Sequence, residues 1–227
     1  MKRKPFFVIL FLSILALPLL ACLLLGQARL VVKPEAVSQV DELLAQMNRD
    51  STFSGSALIA QDGVVYLSKG YGLADRLQGI PNTPQTRFHL GSMTKQFTAM
   101  AILILQSQGK LSVQDTICNY ITDCPKEWQD ITIHHLLTHT SGMFNYFAHP
   151  DFSSKISTIR SVKDALPLIY DQKLLFDTPG ERFSYSNSGI VTLGAVIEAV
   201  TGQSYPDYIQ ENILKPLGMN DTHINYL

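Results

Sequence analysis

Apolar and polar positions recur along this chain in several distinct registers, and each register predicts an element. Phe6 to Leu25 contains no charged residue and follows Lys2, Arg3 and Lys4, so it reads as a membrane-targeting segment rather than part of a fold. Pro34–Arg49 has the spacing of an amphipathic helix, with Val40, Leu43, Leu44 and Met47 on one face. Ser54–Ala60 and Val64–Ser68 are short β-rich runs joined by Gln61-Asp62-Gly63, which predicts a hairpin. Gly70, Gly72 and the stretch from Gly79 to Pro84 mark loops. From Ser92 the helical period takes over, with Phe97, Met100, Ala101, Ile104 and Leu105 apolar and Gly109 as the stop. Further helices are expected from the Thr132 cap to Thr138, from the Ser161 cap to Tyr170, over Ile190–Val200 before Gly202, and after Ser204 with Pro206 in the first turn. The class is α+β, with the first hairpin of an antiparallel sheet and a helical subdomain; an isolated hairpin needs partners for its apolar face.

The leader changes how composition is read. It inflates the 46% hydrophobic content. Three fates compete for residues 1–28, read as a signal peptide or N-terminal membrane anchor. The run is long enough to span a bilayer, where about 20 apolar residues suffice. Gly26-Gln27-Ala28 offers a cleavage site after Ala28, and Leu20-Ala21-Cys22 has a faint lipoprotein pattern that Leu23–Leu25 oppose. All three export the rest of the chain, to a periplasmic or extracellular location. Without residues 1–28 the net charge moves from −1 to −4, with 15 basic against 19 acidic residues and no basic block, so nucleic acid is not an implied partner. A membrane is engaged only through the N-terminal segment, and oligomeric state is not legible. Cys22 lies in the leader. Cys118 and Cys124 then form a pair that an oxidising compartment would bridge across a short loop, with two free thiols as the alternative.

Candidate chemistry begins at Ser92-Met93-Thr94-Lys95. A serine and a lysine three apart share one helical face, and the hydroxyl needs a neighbouring base to become nucleophilic. Ser107-Gln108-Gly109-Lys110 has the same pattern, but it lies where Gly109 ends the helix, at the wrong end of the dipole. Tyr185-Ser186-Asn187 comes after a turn that begins at Pro179-Gly180. Its phenol suits proton transfer and its amide suits a substrate carbonyl or Lys95, unless Asn187 simply caps the next helix. His134, His135 and His139 lie between, in Thr132 to Gly142, without the H-E-x-x-H pattern of a metal helix, so no metal is expected. Phe144, Tyr146 and Phe147 serve equally as a cleft wall or as core.

With these segments in this order, the chain resembles the serine β-lactamase and penicillin-binding-protein group, in its class C β-lactamase and D-alanyl-D-alanine carboxypeptidase branch. The resemblance runs from about Ser54 to Thr222 and includes Phe53-Ser54-Gly55, Thr86-Arg87-Phe88, Gly109-Lys110-Leu111-Ser112 and Leu214 to Met219. It implies a β-lactamase/transpeptidase-like fold, a helical subdomain against an antiparallel sheet. It also implies Ser92 as acylated nucleophile, Lys95 as its base partner, Tyr185 as proton shuttle and Asn187 as holder of Lys95 and substrate. No cofactor is implied. The substrate would be a small molecule or a peptidoglycan-like peptide, attacked at an amide, ester or β-lactam carbonyl.

The family's third motif, Lys-Thr-Gly or His-x-Gly, does not occur after Asn187. The expected organisation is therefore a connector and first helix over residues 29–53 and a C-terminally truncated hydrolase domain over 54–227, with its sheet incomplete. Two readings result: an exported serine hydrolase, or a catalytically impaired homologue acting as a binding or sensor protein or persisting as a gene remnant.

Overall fold

The computed structural model describes residues 31–224, so the N-terminal apolar run lies outside the described residues. Among those described, no helix is long and apolar enough to cross a membrane. The chain divides into two compact units, one ending at Phe88 and the other beginning at His89.

In the first unit, helix α1 (Pro34–Arg49) starts with proline at a position where the missing N–H costs nothing. Its inward stripe is Val37, Asp41, Leu44 and Asn48, all half-buried, while Val40 and Leu43 are exposed. The expected face is thus rotated. The reason is Asp41, which takes Lys69 Nζ at 2.7 Å and the Tyr71 hydroxyl at 2.8 Å from strand β2 (Val64–Tyr71). Burial, then the Asp41 carboxylate, pushes the Tyr71 phenol up to about 12. Strand β1 (Gly55–Gln61) pairs antiparallel with β2, with a register shift between Ile59 and Ala60. The connecting Asp62 and Gly63 both have positive φ, 53° and 79°, the pairing a tight two-residue hairpin turn demands. The stretch expected to be loop forms a second small ladder, β3 (Leu73–Asp75) with β4 (Ile80–Pro81). Asn82 secures it by donating to the Tyr71 carbonyl, and its backbone lies so close to Gly70 that a Cβ there would sit 2.0 Å from the Asn82 oxygen.

The second unit is helical. Helix α2 (Lys95–Ser107) buries Thr98, Ala101, Ile102 and Leu105, leaves Met100 exposed, and ends at Gly109 in the left-handed region. Again the stripe is turned from the purely apolar reading, because Thr98 finds a buried partner in the Tyr205 hydroxyl at 2.7 Å. Helix α3 (Ile133–Leu137) is capped by Thr132, whose hydroxyl accepts the His135 N–H while His135 Nδ1 accepts the Thr132 N–H. After the short helix α4 (Phe152–Lys155), the segment expected as one helix from Ser161 is two: α5 (Val162–Ala165), capped by Ser161, and α6 (Pro167–Tyr170), opened by proline. Helix α7 (Asn187–Thr201) buries Leu193, Val196 and Ile197 and closes at Gly202 with φ 69°. Helix α8 (Tyr205–Ile209) is capped by Ser204 and runs into a wider turn over Gln210–Leu214. Ile102, Leu105, Ile117, Trp128, Ile131, Leu136, Leu193, Ile197 and Ile209 make one continuous core. A fully buried aliphatic side chain of this kind contributes roughly 1.5–3 kcal/mol. Cys118 and Cys124 are joined as a disulfide that closes the loop beside this core. Helices with two small antiparallel ladders agree with the α+β class expected from the sequence.

Candidate active site

Ser92 lies in the single tight turn Gly91–Thr94 that feeds directly into α2, one turn earlier than a residue of the helix proper. Gly91 has φ 54°, a left-handed conformation that turns the chain sharply into that segment. The helical continuation brings Lys95 back over Ser92, with Nζ 3.2 Å from Oγ. On its other side Ser92 Oγ is 2.6 Å from the Tyr185 hydroxyl. Lys95 Nζ lies 4.9 Å from the Tyr185 ring centroid and donates to Asn187 Oδ1 at 2.7 Å. All four residues anticipated for the site therefore meet, Ser92 and Lys95 from the turn before α2 and its first residue, Tyr185 and Asn187 from the segment before α7 and its first residue. Ser107 is occupied with the carbonyl of Ile104, inside the last turn of α2.

Lys95, then Ser92, holds the Tyr185 phenol below its ordinary range. A phenol so placed loses its own proton more readily than one in water, and as phenolate it can accept the serine proton and return it to a leaving group. Ser92 and Tyr185 are exposed, so a substrate carbonyl has access to both.

Sequence pattern does not single out Asn145. Its Oδ1 accepts the Asn187 backbone N–H at 3.4 Å and the Asn187 side-chain Nδ2 at 3.3 Å. Because Nδ2 is turned to Asn145, Oδ1 is left for the lysine. Asn187 is the first residue of α7 rather than its cap; Ser186 holds that position without a side-chain bond. The one sequence signal for Asn145 is a lone amide among the aromatics Phe144, Tyr146 and Phe147. Those aromatics do more packing than lining: Tyr146 is half-buried against the core, and Phe147, half-exposed, stacks on Phe152 at 4.7 Å.

His139 sits at φ 57°, unusual for a residue with a Cβ. Its carbonyl accepts the Ser184 N–H at 2.8 Å, and its Nδ1 accepts the Ser186 N–H at 3.3 Å. Its ring lies 4.6 Å from that of Tyr185 and meets Phe183 edge-on at 5.9 Å. Burial, then the Lys95 charge, holds its pKa below the usual imidazole range. Among the described residues, no three or more His, Cys, Asp or Glu are grouped to hold a metal ion.

The β-lactamase family model matches residues 40–226, and the chain belongs to that family. A penicillin-binding protein of Bacillus subtilis is 32% identical over 197 residues, covering 85% of this chain and 43% of its own length. The crystal structure of a penicillin-binding protein from Bacillus halodurans matches with a TM-score of 0.70 at 34% identity, over 80% of this chain and 57% of that one. EstCE1, described as a hydrolase with promiscuous acyltransferase activity, matches with a TM-score of 0.69 at 27% identity, over 82% of this chain and 52% of its own. The chain thus spans less than half the length of the curated relative. The family assignment makes it a homologue of penicillin-binding proteins and of serine hydrolases related to them.

Proposed function

We propose that this chain carries the nucleophile half of an exported serine hydrolase that works through an acyl-enzyme on amide, ester or β-lactam carbonyls. The observation that carries the reading is Ser92 Oγ standing between the Tyr185 hydroxyl at 2.6 Å and Lys95 Nζ at 3.2 Å. In this scheme the oxygen of Ser92 attacks the carbonyl carbon as its proton passes to the Tyr185–Lys95 pair. Tyr185 then delivers a proton to the departing nitrogen or oxygen, leaving an ester on Ser92. Water, deprotonated by the same pair, attacks that ester and frees the acid. Asn187 fixes the lysine throughout. No cofactor enters any step. The acyl-transfer chemistry named for EstCE1 is consistent with this scheme, and the charged N-terminus before Phe6–Leu25 supports export.

The test is intact-mass detection of a covalent adduct after incubating the 227-residue chain with a penicillin reporter and, separately, an activated ester. An adduct present in the wild type and lost in Ser92→Ala supports the reading and names the carbonyl class. A folded protein that forms no adduct with either reagent overturns it.

A further inference from the structure

His139 touches three consecutive residues of the segment that presents the phenol. Its backbone oxygen holds Ser184, its ring faces Tyr185, and its Nδ1 holds Ser186. The φ of 57° closes helix α3, with the Thr140 N–H donating to the His135 carbonyl at 2.9 Å and the His139 N–H to that of Leu136 at 3.3 Å, and it leaves the His139 carbonyl and ring aimed at the same stretch of chain.

Accepting the Ser186 N–H requires an unprotonated Nδ1, so the ring is neutral with its proton on Nε2. A second proton would convert Nδ1 from acceptor to donor, facing an N–H that is itself a donor. It would also place a cation beside Lys95. The charged or titratable groups set against the ring are Lys95 from α2 and Tyr185 from the segment before α7. His135 of α3 is turned instead toward Thr132 and Gly180.

Resting on the reading of Ser92 as nucleophile, we infer that His139 is the positioning residue for Tyr185: the neutral ring holds residues 184–186 so that the phenol reaches Ser92, and protonation of the ring releases them. The site therefore carries its own acid cut-off, separate from the groups that move the proton.

The experiment times acylation of the 227-residue chain by a p-nitrophenyl ester across pH, for wild type and three variants. His139→Asn retains a short-range acceptor and tolerates the left-handed backbone; His139→Gln places its amide one bond too far; His139→Leu has no acceptor. The wild type should lose rate as the ring gains its proton. His139→Asn should stay within about threefold at high pH and lack that acid loss, whereas His139→Leu and His139→Gln should fall about a hundredfold in kcat with KM little changed. Ring nitrogen NMR of the wild type adds a readout that needs no turnover: the Nε2–H tautomer, with the Ser186 amide moving at the midpoint of the ring's titration. An Nδ1–H tautomer, a Ser186 amide that ignores the titration, or an acid limb unchanged in His139→Asn overturns the inference. A wild type that never acylates removes the Ser92 reading instead, and the NMR titration still decides whether His139 clamps the segment.

Discussion

Asn145 Oδ1 receives both N–H groups of Asn187, one from the backbone at 3.4 Å and one from the side chain at 3.3 Å. That double contact orients the Asn187 amide and thereby sets where Lys95 points. Asn145→Ala should leave the fold intact and slow Ser92 acylation by about tenfold to a hundredfold, the range expected when a reacting group drifts by up to an ångström. Asn145→Asp, which keeps the accepting oxygen, should recover most of the rate. Single-turnover kinetics with an activated ester checks both.

Lys95 is the largest cause of the depressed Tyr185 phenol. A depressed value means the folded protein favours the phenolate. The associated stabilisation is present above the ordinary value of 10.0 and is lost as pH falls through the folded value. Ultraviolet titration of wild type against Tyr185→Phe should reveal one phenol titrating below the rest. Lys95→Met should return that phenol toward its ordinary range; if it does not move, the lysine is not the cause.

The Cys118–Cys124 bridge closes a short loop packed against the hydrophobic core. On the chain-entropy account, closing so small a loop stabilises by about 2 kcal/mol. The double variant Cys118→Ser/Cys124→Ser should melt lower than the wild type by the corresponding few degrees and acylate at the same rate once folded. Calorimetry with and without reductant on the wild type provides the matched control.

Gly142 has φ 76°, and a Cβ there would lie 2.9 Å from the Phe176 carbonyl oxygen. Backbone conformation and space both exclude a side chain. Gly142→Ala should destabilise by about 1–3 kcal/mol, as overpacking and a strained φ generally do. Gly109→Ala is the comparison: its φ is also positive, at 69°, but nothing stands within 4 Å, so only the conformational part remains. Thermal melts of the two variants separate these causes.

Much of the site is legible in the sequence because its chemistry is carried by short-range pattern. Ser92 and Lys95 lie one turn apart, and Tyr185 and Asn187 two residues apart, so each half can be read without knowing the fold. Asn145 is not legible, since its role arises from a tertiary contact with a residue 42 positions away. The same physics explains the rotated helix faces. Asp41 and Thr98 are polar, and an apolar stripe leaves them outside, yet each has a partner from a distant segment, Lys69 with Tyr71 and Tyr205 respectively. Hydrophobic periodicity counts only apolar side chains, so an inward polar residue shifts its answer by one position. The break at Pro167 and the β3–β4 ladder escape for a simpler reason: both are short, and local signals cannot tell a brief element from a turn.

Ser92 and Lys95 enter from the head of one helix and Tyr185 and Asn187 from the head of another, and the gap between the two heads is set by Ala101, Ile102 and Leu105 packing beside Leu193, Val196 and Ile197. A methyl group added or removed in that layer lies well outside the reactive atoms, yet it changes the spacing of every proton transfer among them. The reactivity of one serine then becomes a gauge of how two helices are seated. Core variants chosen to be neutral in stability could be ranked by it.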